Sequence, residues 1–444
     1  MLLNIAVSLL VWGVCIICAI RMFATSANIK VAPTEKPNLI QKILSTEKLQ
    51  YKSYTATKKD YLKIAGYAVA FRICVYIIGF VAMRFYMEDD VIIDSGTFIG
   101  EWLRWDSNNY ERIALLGYSG YTENVNGEAL YSTLVFFPLY AWILKFFYQF
   151  VKEPTLAGMI ASTVCYTVGC CYMFGALSLD YGKKIAKNTL IYLTIFPFSL
   201  FYGAVMPECT FFMTAAMCFY YTKKHNWCLA TIAGIFCGLS RMQGFLMMIV
   251  AGVEWLETEQ PIKKIMDKDW KALSKSVFTK AIFIPFMGLG FVIYLIINKI
   301  VTGDPFKFLY YQKLIWYQEA TYFGKNVTDI WNRTFGPEHL TDESWIFAGF
   351  VPIVIFFICC FLMVYSVRKM HAKYFLLFVF YVIMNYMPSW LLSSGRYMSV
   401  CFPMFLATAI YTEKKENTHH LLITTSGVLF GVILYAYLTK HQVL

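Results

Sequence analysis

Apolar runs of membrane-spanning length alternate along the chain with short polar or charged interruptions. They cover residues 2–20, 61–85, 131–150, 155–179, 188–203, 206–222 and 227–256, and later runs end near 300, 366, 391, 411 and 438. A helix needs about 20 apolar residues to cross a bilayer, and shorter ones cross obliquely or as broken limbs, so the pattern predicts an all-α polytopic membrane protein of about 11–13 transmembrane helices.

Charge orients the runs. Residues 21–60 hold eight Lys/Arg against three Asp/Glu, which assigns them to the cytoplasmic side; residues 86–130 hold nine acids against two arginines and are expected on the opposite, extracytoplasmic side. Residues 2–20 lack a basic leader and precede Arg21, so they read as an uncleaved anchor with its N-terminus outside. Three segments follow: an anchor helix with a basic loop (1–60), a catalytic transmembrane module (61–256) with outer loop 86–130, and a C-terminal transmembrane module (257–444) with outer loop 301–345. In the middle, residues 188–203 rise, 206–222 return, and 227–256 form two limbs broken at Ser240-Arg241. That arrangement brings Pro207-Glu208 and Arg241 to the side of loop 86–130, and it requires residues 131–179 to cross an odd number of times.

Composition agrees with this class. The chain is 58% hydrophobic and 15% charged, with mean hydropathy +0.53. Its net charge of +11 lies in short clusters between apolar runs rather than in one basic face, which excludes a nucleic-acid partner. Many of the thirteen cysteines lie inside apolar runs and pack as small hydrophobes; Cys15 and Cys18 form a CxxC without a neighbouring histidine, so no metal or other cofactor is expected.

The chemistry-bearing residues interrupt this apolar background. In Arg104-Trp105-Asp106-Ser107-Asn108-Asn109-Tyr110, Asp106 and Tyr110 begin a helical stripe completed by Ile113 and Gly117, at i, i+4, i+7 and i+11. Asp106 is read both as the helix N-cap and as the acid of a catalytic loop beside Trp105; one carboxylate can serve both roles. Glu208 and Arg241 are charges inside apolar runs, where a charge is costly and is either paired or functional. Arg241 either partners Glu208 or binds an anionic head group. Arg396 either snorkels to the interface or joins Arg241 on a phosphate, whose oxygens match guanidinium forks. Asp304, Gln312 and Trp316 belong to an aromatic outer loop suited to stacking on sugar rings or to lining the membrane interface. Asn326-Val327-Thr328 and Asn332-Arg333-Thr334 match N-glycosylation acceptor patterns.

These residues carry a resemblance. Trp105-Asp106 with Tyr110, Ile113-Ala114 and Gly117-Tyr118, then Phe136-Phe137-Pro138-Leu139-Tyr140, Glu208 and Ser240-Arg241-Met242-Gln243-Gly244, and finally Gly303-Asp304-Pro305 with Gln312 and Trp316, resemble in order the PIG-V family of mannosyltransferases, the family of GPI mannosyltransferase 2 and its bacterial relatives within the GT-C glycosyltransferases. The chain departs from the family at Asn109, at Met206-Pro207 and at Gln243. The resemblance implies a GT-C-type bundle and inverting transfer of a hexose, mannose first, from a polyprenyl-phosphate donor to a lipid or glycan acceptor on the extracytoplasmic side. It implies Asp106 as general base, and Trp105, Tyr110, Glu208, Arg241, Gln243, Asp304, Gln312, Trp316 and Arg396 as substrate-binding residues, with no metal. The membrane expected is a bacterial cell membrane, or the endoplasmic reticulum in a eukaryotic host. The competing class is a lipid or solute transporter, which predicts charges near the bilayer midplane and internal repeats; no repeat stands out.

Overall fold

The computed structural model describes residues 2–29, 51–86, 95–125, 127–337, 340–389, 391 and 393–443. Residues 30–50 of the basic stretch expected over 21–60, and part of outer loop 86–130, lie outside them. Among the described residues, six helices are long and apolar enough to cross a membrane, and Trp227–Ser240, Ala372–Asn385 and Phe402–Thr412 are shorter apolar helices. The protein is a helical integral membrane protein. Its small sheet is a hairpin in the outer loop, β1 (Glu123–Val125) antiparallel to β2 (Glu128–Leu130).

Helix α1 (Leu2–Ser26) buries Val7, Val11, Val14, Cys18 and Arg21. Their 4-3-4-3 spacing makes one stripe, and Leu2, Ile5, Leu9 and Ile16 on the other sides remain exposed, the division expected of a helix with one lipid-facing side. Helix α2 (Lys58–Tyr86) runs to the outer loop, where α3 (Ser107–Leu116) lies. Gly117 ends α3 at φ 74°, a conformation glycine adopts without steric cost.

The ambiguous segment 131–179 resolves by length. Helix α4 (Pro138–Val151) has 14 residues, about 21 Å at 1.5 Å per residue, too short for a core of about 30 Å. Tyr140 near its start bonds Gly158 O and Ser162 Oγ of α5 (Pro154–Ile195), so α4 lies against the first turns of α5, and α5 makes the crossing. Helix α5 breaks at Gly182 (φ 80°, ψ 171°). A Cβ there would meet Lys52 O at 2.7 Å, so the position needs glycine for close approach as well as for its dihedral. The Tyr166 and Thr194 hydroxyls meet at 2.7 Å, which folds the second limb back beside the first.

A 3₁₀ stretch (Pro197–Tyr202) then leads to α6 (Glu208–Lys223), followed by α7 (Trp227–Ser240) and α8 (Met247–Glu259). Arg241 is extended (φ −159°, ψ 155°), which ends α7 and starts the return limb at the break expected there. Loop 301–345 is bounded by α9 (Trp270–Thr302) and α12 (Trp345–Ser366) and itself contains α10 (Lys307–Trp316) and α11 (Phe323–Phe335). Asn326 on the inner face of α11 donates to Tyr386 O, Met387 O and Pro388 O, so this buried amide is a structural tie rather than an open glycan acceptor. After α13 (Ala372–Asn385) comes a short helix, α14 (Ser394–Ser399), before α15 (Phe402–Thr412) and α16 (Glu416–Leu438).

The bundle has two charged ends. At the lysine-rich end, Lys373 Nζ lies 2.8 Å from Asp180 and 2.8 Å from Glu254, Lys223 meets Asp180 at 2.5 Å, and Lys183 meets Asp60 at 2.7 Å. At the other end lie Asp106, Glu208, Arg241 and Arg396.

Candidate functional site

Four charged side chains from four separate parts of the chain meet at this second end. Glu208, the first residue of α6, is fully buried, and its Oε1 accepts from Arg396 Nε at 2.7 Å and from Arg241 Nη1 at 3.0 Å. Arg396, brought in by α14, donates through Nη1 to Asp106 Oδ2 at 2.6 Å. The order Asp106, Arg396, Glu208, Arg241 alternates in sign, two carboxylates with two guanidiniums. Such neutralisation is what lets charges stay in a low-dielectric bundle, where an unpaired charge would be strongly destabilising.

Asp106 is the open member, with its side chain 22% exposed against 2% for Arg396, 9% for Arg241 and 0% for Glu208. Although it stands at the N-cap position of α3, its carboxylate makes no capping hydrogen bond. The capping half of the double reading therefore belongs to the backbone alone: the Asp106 carbonyl starts the helix, and the side chain turns to Arg396. The reading of Arg396 as an interfacial snorkel is likewise replaced by a buried, doubly paired guanidinium.

The backbone before Asp106 is unusual. Ser107 N–H closes a turn onto Arg104 O at 2.9 Å, and the second residue of that turn, Trp105, has φ 49°. With Asp106 at φ −63°, this is the sign pattern of a type II′ turn, whose second residue is ordinarily glycine. A bulky side chain at positive φ costs about 1–2 kcal/mol, and such strain gathers at functional sites.

Tyr110, one turn into α3, is buried and packs edge-on against Phe136 (5.3 Å) and Tyr140 (5.4 Å). Trp316 at the end of α10 packs on Phe136 at 5.6 Å, which links it to Tyr110 by one intervening ring. On the other side of α3, burial and the nearby Glu153 push the Glu111 carboxyl up. Gln243 is half-buried in the 3₁₀ turn after Arg241. Asp304 and Gln312 are bonded elsewhere: Asp304 Oδ1 accepts from Phe306 N–H beside the Gly303 turn, and Gln312 Nε2 donates to Gln318 Oε1. The structure thus gathers Asp106, Glu208, Arg241 and Arg396 with Trp105 and Tyr110 adjoining, and leaves Asp304 and Gln312 outside that set of contacts.

Two contributors were not singled out from sequence. The Tyr397 ring lies against both guanidiniums, 4.5 Å from Arg241 Cζ and 5.7 Å from Arg396 Cζ, in cation–π geometry. Arg72, midway along α2, donates to Ser199 O at 2.9 Å and stacks 4.6 Å from Tyr166, bracing the 3₁₀ turn that leads to Glu208. Arg72, a charge within an apolar run, carried a signal in sequence; Tyr397 was visible only as the neighbour of Arg396.

No family model matches the sequence, and no curated protein matches it. Among solved structures the chain is similar to ArnT from Cupriavidus metallidurans in the apo state, at 12% identity and TM-score 0.41, covering 85% of this chain and 76% of that one. It is similar to the same protein bound to undecaprenyl phosphate, at 12% identity and TM-score 0.43 over 85% and 77%. It is also similar to the Archaeoglobus fulgidus oligosaccharyltransferase tethered with an acceptor peptide containing the NVT sequon, at 11% identity and TM-score 0.42; 87% of this chain is covered, and it spans 56% of that one.

Proposed function

We propose that the protein is an inverting GT-C-type glycosyltransferase that moves a hexose, mannose first, from a polyprenyl-phosphate carrier to a hydroxyl of a lipid or glycan acceptor on the extracytoplasmic side. The observation that carries this reading is the partly open carboxylate of the charge cluster, Asp106, held 2.6 Å from a buried arginine at one end of a membrane bundle.

The chemistry fits that set. The acceptor hydroxyl attacks the anomeric carbon from the face opposite the phosphate, its proton passes to Asp106, and the bond between the anomeric carbon and the phosphate oxygen breaks. The polyprenyl phosphate leaves as an anion, so no acid is required to protonate it. Arg396 and Arg241 are the cations placed to offset that charge, and their buried setting strengthens the effect. Glu208 fixes both guanidiniums through one oxygen, which sets their spacing before substrate arrives.

The test is transfer of radiolabelled mannose from polyprenyl-phosphate mannose to membrane lipid extract by purified wild type and Asp106→Asn. Loss of a general base lowers the rate about 10²- to 10⁴-fold, and that loss with donor binding retained is the expected result. Equal rates in the two proteins would remove Asp106 from the chemistry.

A further inference from the structure

The backbone that aims Asp106 is fastened from the far end of the chain. Tyr437, fully buried in the last turn of α16, places its ring 5.6 Å from Trp102, 5.3 Å from Trp105 and 5.8 Å from Phe201. Its hydroxyl donates to Trp102 O at 3.2 Å. Arg104 returns the contact: its Nη2 donates to Leu438 O at 3.1 Å, satisfying a carbonyl at the C-terminus of α16, while its guanidinium lies 5.5 Å from the Tyr437 ring. Arg104 is itself ion-paired with Glu101, which Lys440 approaches at 3.6 Å.

Phe201 adds the second half of the geometry. It lies under Arg396, whose Cζ is 5.5 Å from its ring. Tyr437 therefore touches both the turn that carries Asp106 and the ring that supports Arg396, the partner of Asp106. The turn needs such support, because Trp105 occupies a positive-φ position that a tryptophan does not hold unaided.

We propose that Tyr437, with Arg104, is a positioning residue: it holds the strained Trp105 turn so that the Asp106 carboxylate stays in register with Arg396. The proposal rests on the reading of Asp106 as the base. It assigns α16 a part in the site although most of that helix faces lipid, with Leu421, Val428 and Val432 exposed.

Two measurements on the purified full chain test it. The first is hydrogen exchange of the peptide spanning residues 101–110 in Tyr437→Leu, which keeps an apolar side chain at the position. Exchange there accelerates while peptides in α13 and α15 keep their wild-type protection; unchanged exchange in 101–110 overturns the clamp whatever the activity. The second is transfer from polyprenyl-phosphate mannose, expressed per folded molecule. Tyr437→Leu and, independently, Arg104→Gln lower kcat, toward about 10²-fold for a displacement near 1 Å, with KM for the donor unchanged. Tyr437→Phe, which keeps the rings in place, recovers most of the loss. A purely structural tyrosine would reduce the folded fraction and leave kcat per folded molecule intact, which would overturn the proposal. Asp106→Asn in the same assay separates the two ideas: full activity there defeats the base reading, whereas an inactive Asp106→Asn beside a fully active Tyr437→Leu defeats the positioning role alone.

Discussion

Glu208 is the hinge of the charge balance. With Glu208 present, two guanidiniums face two carboxylates; Glu208→Gln removes the carboxylate that pairs Arg241 and leaves Arg396 with Asp106 alone. Removing one partner from a buried ion pair costs about 3–5 kcal/mol, so chemical unfolding in detergent is expected to show that loss, and an unchanged midpoint would mean the arginines find other anions. Just beyond the end of α16, His441 Nδ1 lies 2.6 Å from Glu343 Oε1, and Gln442 N–H donates to the same carboxylate. These bonds hold the Glu343 carboxyl below its ordinary range. A carboxyl lowered on folding contributes stability that is complete above that ordinary range and is lost as pH falls through the lowered value. The contact is half exposed, so the contribution is small. Glu343→Gln is expected to flatten the acid limb of the Tm-versus-pH curve slightly, and superimposable limbs would reject the linkage. At this scale the sequence marked Glu208, Arg241 and Arg396 because a charge in lipid needs a reason, although Arg72 carried the same mark and was passed over. Tyr437 and Tyr397 were not legible: among 32 tyrosines and 38 phenylalanines, one ring at a helix end carries no mark of its own.

Single positions decide how the helices turn. Gly182 lets α5 reverse, and Gly182→Ala combines a positive φ with a close approach to Lys52 O. The dihedral alone costs about 1–2 kcal/mol; thermal unfolding of the variant is expected to show at least that destabilisation, and an unchanged Tm would mean the break relaxes freely. The limbs on either side of Ser240-Arg241 were legible because Arg241 is a polar interruption at which two short helices meet. The relation of α4 to α5 was not, since both begin at a proline, both read as apolar, and only the Tyr140 contacts with Gly158 and Ser162 show that one lies against the start of the other. Asp304 and Gln312 were marked by residue type as parts of a sugar-binding loop, and in the structure one carboxylate oxygen of Asp304 joins a turn while the Gln312 amide bonds Gln318. Residue type announces bonding capacity and leaves the partner unspecified.

Across the whole molecule, the two charged ends predict the orientation. The lysine-rich end carries Lys183, Lys223 and Lys373, and the end with Asp106 carries the acidic outer loop, the distribution that faces lysines to the cytoplasm. Lys325 on α11 and Lys271 at the start of α9 are both exposed. Lys325→Cys is expected to react with a membrane-impermeant maleimide in intact cells, and Lys271→Cys only after permeabilisation. The reverse pattern would put the Asp106 site on the cytoplasmic side and exclude an extracytoplasmic transfer.

The fastening of the Trp105 turn by α16 also bears on how the protein is made. Residues 416–438 leave the ribosome after every helix that supplies a charge to the cluster, and long after Asp106 itself. Until they insert, Trp105 lacks Tyr437 and Arg104 lacks the Leu438 carbonyl. A nascent chain halted before them would hold all four charged residues without a fixed carboxylate, so activity would arrive with the insertion of α16 rather than accumulate during earlier synthesis.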